Sequence, residues 1–180
     1  NVGNYDPTKF DNDSDDMPTT GARNGLRLVD LRGVDYNDAK WDRLLDQLTF
    51  DDMDNLIANA GYQNAAIKSI GKVRLSDVDG PAALKDNFTG VSSIGLPSNI
   101  VLACSWNKDL AREYGETIGD MAHEMQVSGW YAPSVNLHRS PFAGRNFEYF
   151  SEDPTLSGDL SGEQVLGAAD RGVYAFIKHF

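Results

Sequence analysis

Apolar side chains recur at helical spacing in four stretches of the chain. The positions that mark them are Trp41, Leu44, Leu45 and Leu48; Met53, Leu56 and Ile57; Leu110, Tyr114, Ile118, Met121 and Met125; and Leu156, Leu160, Val165 and Leu166. Thr49 and Asp52 resemble a capping box before the second stretch, and Asn107 is placed to cap the third. The pattern therefore predicts four helices, the last over about 154–169.

Short apolar or alternating runs lie between these helices, at residues 73–76, 99–103, 131–137 and 173–177. Each run has the length and composition of a β-strand. Strands that alternate with helices imply parallel pairing through right-handed crossovers. The sheet is then either an open doubly wound one or a piece of a closed barrel, and periodicity does not separate the two.

Residues 1–36 differ from the rest because they are acidic and have little apolar periodicity. We predict an acidic linker or surface segment there. Asp11, Asp13 and Asp15 imitate the first ligands of a calcium loop, but the sixth position is Asp16 and the twelfth is Ala22, where glycine and glutamate are needed. The sequence therefore favours no metal site, and it offers no cofactor signature.

Composition limits the class of partner. The 180 residues carry a net charge of −11, which argues against nucleic acid or an anionic membrane as a partner, since both require a basic face. No apolar run approaches the roughly 20 residues of a membrane span, and the start of the chain does not resemble a secretory signal. The compartment stays open, with a slight preference for the cytoplasm. Cys104 is the one cysteine, and we expect it to be a buried structural thiol.

Charged and aromatic residues collect just after three of the predicted strands. Asp79 lies in Asp-Gly-Pro, Arg145 lies in the run from 144 to 154, and Lys178 and His179 stand at the end. In a barrel the active site gathers at the carboxyl ends of the strands. A sugar needs a carboxylate that accepts from its hydroxyls and cations that donate to them. These four residues supply that set, with neutral His179 as a donor.

Each cluster also has a structural explanation. Asp79 could simply shape a turn. Arg145 and Glu148 could form an ion pair that stiffens the loop, which we favour as the role of Glu148. Glu152 and Asp153 are better placed to cap the next helix than to perform acid–base chemistry.

Residues 132–154 resemble the signature of glycoside hydrolase family 3, the β-glucosidase family. Asp79-Gly80-Pro81 and Lys178-His179-Phe180 match its flanking motifs in order. The resemblance implies an α/β fold in which residues 37–180 form about the first half of a TIM-type (β/α)8 barrel. It also implies that Asp79, Arg145, Lys178 and His179 bind the non-reducing-end sugar, in a pattern closer to the glucosidase and xylosidase branches.

The family's nucleophile is an aspartate in a later Ser-Asp-Trp-like motif that has no match in this chain. We therefore expect a retaining β-glucosidase-like hydrolase whose nucleophile and acid/base lie in the remainder of the parent enzyme, so that the chain alone is inactive. Arg139-Ser140-Pro141-Phe142 also departs from the usual Arg-Asp-Pro-Arg. The alternatives are a β-N-acetylglucosaminidase of the same family and a non-catalytic glycan-binding or assembly fragment. Unpaired strand edges predict possible homo-oligomers.

Overall fold

The structure is a computed structural model that describes residues 2–4, 6, 8–59 and 61–179. The chain forms two compact units. One comprises Asn1–Asp54 and Ile67–Lys72, and the other comprises Asn55–Ala66 and Val73–Phe180. Phe180, which belongs to the third predicted motif, lies outside the described residues.

In the first unit, the segment from Gly21 to Leu26 runs beside the end of the first helix. Gly21 N–H donates to the Leu48 carbonyl at 2.9 Å, and the Gln47 side chain bonds both the N–H and the C=O of Leu26 at 2.8 Å. A 3-10 helix at Leu28–Leu31 follows, with Leu31 buried. Two further 3-10 turns span Val2–Asn4 and Lys68–Ile70. The linker role of residues 1–36 stays a prediction.

The first two predicted helices are confirmed as α1, Lys40–Leu45, and α2, Phe50–Ala58. The predicted capping box opens α2. Asp52 Oδ2 accepts from Thr49 N–H at 3.0 Å, while Thr49 Oγ1 accepts from Asp52 N–H at 3.1 Å. These bonds satisfy donors that the first turn of a helix cannot pair internally.

The second unit contains a four-stranded sheet in the order β1-β2-β3-β4. The strands are β1, Gln63–Asn64; β2, Leu75–Asp79; β3, Gly129–Tyr131; and β4, Tyr174–Ala175. β1 is antiparallel to β2, whereas β2, β3 and β4 are parallel. Asp79 pairs with Tyr131, and Trp130 pairs with both Val78 and Ala175. Helices join the parallel strands, which gives the α/β alternation expected from the sequence.

Three helices follow β2, namely α3, Asn99–Cys104; α4, Lys108–Glu124; and α5, Pro154–Asp170. Asn107 caps α4 by accepting from Leu110 N–H at 3.1 Å, as predicted. Asp153 caps α5 by accepting from Thr155 N–H at 2.7 Å, with Pro154 at the first helical position. A proline is tolerated there because its missing N–H would have no intrahelical partner.

The hydrophobic core lies between β2 and β3 and the helices α4 and α5. Val78, Trp130, Ile118 and Leu160 are almost fully buried in it. A Cβ at Gly115 of α4 would overlap the Gln164 carbonyl oxygen of α5. The two helices therefore touch backbone to backbone, and only glycine fits at that contact.

The strand predicted at residues 99–103 is wrong, because these residues form α3. A short apolar run cannot be assigned by length alone, and here Asn99, Leu102 and Ala103 are buried at helical spacing. Cys104 lies on the exposed side of this helix, so the expectation of a buried thiol is also wrong.

The other three strands exist, but their bounds differ from the prediction. β2 begins two residues later than predicted and includes Asp77, Val78 and Asp79. Its two aspartates have partners on β4 and beyond it, since Asp77 accepts from the Tyr174 hydroxyl and Asp79 accepts from Lys178. β3 ends at Tyr131, one residue before the Ala132-Pro133 step, since proline has no N–H for a ladder bond. The pairing resumes as an isolated parallel bridge between Ser134 and Lys178. Among the described residues, none of the helices is long and apolar enough to cross a membrane.

Candidate active site

Asp79 is the last residue of β2, and its carboxylate meets the amine of Lys178. Lys178 Nζ donates to Asp79 Oδ1 at 3.0 Å, and Gly80 N–H donates to the same oxygen at 3.0 Å. The lysine side chain is 18% exposed and the aspartate 43%. The pair therefore closes the carboxyl edge of the parallel sheet, with the carboxylate on the open side.

Gly80 allows the backbone to pass close to Trp130 directly after Asp79. A Cβ on Gly80 would overlap Nε1 of the Trp130 indole and lie 3.2 Å from the Ala132 Cβ. The backbone can pass the buried tryptophan only without a side chain. In this way the core tryptophan fixes the position of the neighbouring carboxylate.

Arg145 is held by Glu148 through a fork of two hydrogen bonds. Arg145 Nε donates to Oε1 at 2.7 Å and Nη2 donates to Oε2 at 2.9 Å. The glutamate side chain is 10% exposed, whereas the arginine is 53% exposed. A bidentate pair fixes the plane of the guanidinium as well as its position. The predicted ion pair is therefore confirmed, and it leaves Arg145 facing outward.

Glu148 is itself anchored from three sides. Ser134 Oγ donates to Oε2 at 3.3 Å, and Asn99 Nδ2 donates to the Glu148 carbonyl at 2.9 Å. Burial raises the pKa of Glu148, but the hydrogen bonds and charge of Arg145, with Lys178 and Ser134, outweigh it and hold the pKa below its ordinary value. The Glu148 hydrogen bonds in turn raise the pKa of Arg145.

His179 lies against Arg145 and is surrounded by hydrogen-bonding groups. Its Nε2 is 2.8 Å from Arg145 Nη2, and its Nδ1 is 3.3 Å from both Asn136 Oδ1 and the Tyr149 hydroxyl. Burial, followed by the charges of Arg145 and Lys178, lowers the pKa of His179. The ring is therefore biased towards its neutral form.

The four residues predicted for the site are thus brought together. Asp79 bonds Lys178, Arg145 bonds His179, and Lys178 and His179 are consecutive in the chain. The peptide bond between those last two residues is cis. One carboxylate, two cations and a neutral imidazole therefore share one edge of the sheet, which can both accept from and donate to neighbouring hydroxyls.

Among the described residues, Glu152 takes no part in this network, and Asp153 caps α5, as expected from its place before Pro154. The sequence analysis missed three residues that contact the predicted set. Asn136 and Tyr149 contact His179, and Ser134 pairs with Lys178 in a β-bridge. The available signal was position, because all three lie between the end of β3 and the start of α5. Polar side chains in such a segment carry no sequence signal of their own, because their contacts depend on the tertiary structure.

Aromatic rings line the sheet beside Asp79. Tyr131, the register partner of Asp79, packs edge-on against Phe176 at 4.9 Å and at a tilt against Tyr62 at 5.4 Å between ring centroids. Burial raises the pKa of the Tyr131 phenol, whose oxygen accepts from Tyr62 N–H at 3.0 Å. Apolar ring surface thus lies next to charged groups, a combination that suits the two kinds of surface on a sugar.

The family is decided by residues 63–180, which match the profile described as the glycosyl hydrolase family 3 N-terminal domain. The chain belongs to glycoside hydrolase family 3. That family 3 match covers β1 to β4 and all four predicted site residues. The resemblance noted in the sequence is therefore confirmed.

Relatives in family 3 are much longer than this chain. Beta-glucosidase A of Butyrivibrio fibrisolvens is 40% identical over 121 residues, which is 67% of this chain and 14% of that protein. Thermostable beta-glucosidase B of Acetivibrio thermocellus is 32% identical over 148 residues, 77% of this chain and 20% of that protein. The chain therefore spans a fifth or less of these two relatives.

Solved family 3 structures share the fold. Beta-glucosidase 3B from Thermotoga neapolitana in complex with glucose superposes with a TM-score of 0.60 at 38% identity, over 66% of this chain and 17% of that one. A beta-glucosidase from Paenibacillus barengoltzii gives a TM-score of 0.74 at 26% identity, over 92% of this chain and 19% of that one. The predicted fold class, α/β and part of a TIM-type barrel, is confirmed.

Proposed function

We propose that this chain supplies the substrate-binding half of a β-glucosidase-like glycosidase. The observation that carries the proposal is the network of Asp79, Lys178, Arg145 and His179 at the carboxyl edge of the parallel strands. That edge is where barrel enzymes bind substrate. The relatives named as β-glucosidases, one of them solved with glucose, support the substrate class.

In this proposal each side chain has a separate task towards the non-reducing-end sugar. Asp79 accepts from hydroxyl groups, and Lys178 holds its carboxylate in place. Arg145 donates to hydroxyl oxygens from a guanidinium that Glu148 keeps in one plane. The neighbouring Tyr131 and Phe176 rings offer apolar surface for the C–H face of the sugar.

Hydrolysis requires groups outside this network. A retaining glycosidase uses two carboxylates roughly 5 to 5.5 Å apart, one as nucleophile and one as acid/base. Asp79 and Glu148 are each committed to a cation, so we assign neither role to them. The nucleophile and the acid/base then come from the remainder of the parent enzyme, with residues 37–180 as the first half of its barrel. A β-N-acetylglucosaminidase and a purely structural fragment are the outcomes that testing must exclude.

The test compares nitrophenyl glycosides as substrates for this chain and for the intact parent enzyme. We expect turnover of the β-glucoside by the parent alone. Turnover by the isolated chain would contradict the missing nucleophile, and preference for the N-acetylglucosaminide would contradict the substrate class. Retention of the anomeric configuration would be followed by proton NMR of the first product.

The binding role is tested by Asp79→Ala in the parent. Loss of charged hydrogen bonds to substrate predicts a fall of about 100-fold or more in kcat/KM. The matched control is Asp159→Ala, which removes a carboxylate from another lysine pair, Lys108–Asp159 at 3.4 Å, whose side chains are 55% and 53% exposed. Equal effects of the two substitutions would overturn the assignment of Asp79.

The open edges of the sheet support a second part of the proposal. β4 pairs with β3 on one side, and the described residues provide no strand on its other side. We therefore propose that the remainder of the parent enzyme covers this edge, and that the isolated chain forms homo-oligomers through it. Sedimentation of the isolated chain as a clean monomer at high concentration would count against this.

A further inference from the structure

The orientation of the Asn136 amide is fixed by the backbone of His179. His179 N–H donates to Asn136 Oδ1 at 2.8 Å, and Asn136 Nδ2 donates to the His179 carbonyl at 3.3 Å. A backbone N–H can only donate and a carbonyl can only accept. The oxygen and the nitrogen of this amide therefore cannot be exchanged without losing both bonds.

That orientation determines which ring nitrogen of His179 carries the proton. Asn136 Oδ1 also lies 3.3 Å from His179 Nδ1, and an amide oxygen accepts only, so Nδ1 must be protonated. At the other end, Nε2 is 2.8 Å from Arg145 Nη2, and a guanidinium donates only, so Nε2 must be bare. The contacts at both ring nitrogens therefore indicate the same tautomer, with the proton on Nδ1.

We propose that Asn136 is a positioning residue that holds His179 in the neutral Nδ1–H tautomer, so that Nε2 and Glu148 grip the Arg145 guanidinium from two sides. As far as it concerns sugar binding, this inference rests on the proposed function. It also changes the role expected for His179, because its one N–H is used by Asn136 and its Nε2 lone pair accepts from Arg145.

The charges around His179 favour the same state. Arg145 and Lys178 are the cations that act on the ring, and Glu148 and Asp79 are the anions, with the Tyr149 phenol at Nδ1. Protonation would place an Nε2–H against an Arg145 N–H, two donors facing each other. The lowered pKa of His179 agrees with that cost.

A second histidine in the same region has the opposite arrangement. His138 Nε2 lies 2.8 Å from the Asn146 carbonyl, which accepts only, so its Nε2 carries the proton. His123 is exposed on α4 and supplies a third ring for comparison. The three histidines of the chain therefore predict three different ring signals.

The experiment is long-range ¹H–¹⁵N NMR of the histidine rings in the uniformly labelled 180-residue chain, from pH 5 to pH 9. We expect a protonated Nδ1 and a bare Nε2 for His179, and the reverse for His138. A bare Nδ1 in His179 would overturn the proposal by itself. No variant is needed for that outcome, and no catalytic activity is involved, so it is independent of whether the parent hydrolyses glucosides.

Two substitutions of Asn136 test its control over the ring. Asn136→Asp places a negative charge beside Nδ1–H, so His179 should titrate at higher pH than in the unsubstituted chain. Asn136→Leu removes the acceptor, so both tautomers should be populated. Gln126→Glu is the control, because it adds the same charge on an exposed residue three positions before β3, towards the amino end of the strand. Unchanged ring signals in both Asn136 variants would contradict the proposal.

The same substitutions in the parent enzyme connect the tautomer to catalysis. Asn136→Leu should raise KM about tenfold with a smaller change in kcat, as expected when binding common to ground state and transition state is lost. Asn136→Asp should move the acidic limb of the pH profile to higher pH. A merely structural role would lower the unfolding temperature and leave that limb where it was.

Discussion

The two faces of the parallel sheet differ in how completely they are covered. On the face towards α4 and α5, Val78 and Trp130 are 1% and 0% exposed. On the opposite face, Asp79 and Tyr131 are only partly buried, and Phe176 is 36% exposed. One face is finished by helices within the chain, whereas the other carries the candidate site and lacks a complete cover.

On the partly covered face, side chains from neighbouring strands nevertheless pack closely against one another. Gly129 of β3 lies between Asp77 and Tyr174 in the register, and a Cβ there would overlap the Asp77 carboxylate. The Tyr174 hydroxyl donates to that carboxylate. The comparison indicates that the helical face supplies the stability, while the opposite face is ordered mainly by polar and aromatic contacts. Four substitutions test this difference between the two faces.

The largest effect is expected for Trp130→Ala on the helical face. Removing a fully buried indole leaves a cavity that the surrounding core cannot fill, which predicts a loss of about 3–5 kcal/mol in the free energy of unfolding. Urea unfolding followed by circular dichroism would measure it. A loss below about 1 kcal/mol would mean that this face is not the stable one.

Gly115→Ala should come next, because a Cβ would overlap the backbone of α5. Overpacking of this kind costs about 1–3 kcal/mol, and the rigid backbone partner favours the upper end. Gly158→Ala is the control, since its Cβ would meet no atom within 4 Å. That substitution should be neutral or stabilise the helix by about 0.5–1 kcal/mol.

Phe176→Ala on the opposite face should have a smaller effect. Its ring loses edge-on contacts to Tyr131 at 4.9 Å and to Tyr174 at 5.3 Å, which predicts about 1–2 kcal/mol in the isolated chain. The same urea series would show it. A cost equal to that of Trp130→Ala would remove the difference between the two faces.

The smallest effect is expected for Glu148→Gln, on the pH dependence of the free energy of unfolding. The pKa of Glu148 is lower in the folded chain than its ordinary value of 4.5, so its contribution to stability is present above about pH 4.5 and is lost as pH falls through the lower folded value. Glu148→Gln should therefore show a weaker dependence of unfolding free energy on pH below 4.5 than the unsubstituted chain. Parallel pH dependences would show that the Arg145 pair contributes nothing measurable.

Much of the helical layer could be predicted from the sequence. The cap residues Asn107 and Asp153 and the spacing of Tyr114 and Ile118 act locally, and local signals survive without a tertiary structure. The failure at 99–103 has a physical cause. The apolar run from Ile100 to Cys104 is unbroken and therefore shows no helical period. Asn99 is fully buried although it is polar, since its amide bonds Glu148 and Gln164.

The residues proposed to bind the sugar could be picked out from the sequence, whereas the residues that hold them in place by hydrogen bonds could not. Asp79, Arg145, Lys178 and His179 stand out by charge and by motif. Asn136 and Ser134 act through one or two hydrogen bonds to residues distant in sequence, and such bonds depend on the register of β3 and on the following loop. No local pattern encodes that register.

The bond between Lys178 and Asp79 joins residues 99 positions apart in the chain. A ribosome releases Asp79 long before Lys178, so the growing polypeptide carries this carboxylate through the synthesis of α4, β3 and α5 without its amine partner. Under the proposed function, sugar affinity should then arise only after Lys178 has left the ribosome and can reach Asp79. Glucose affinity measured in a series of nascent chains of increasing length would show at which length the parallel sheet becomes complete.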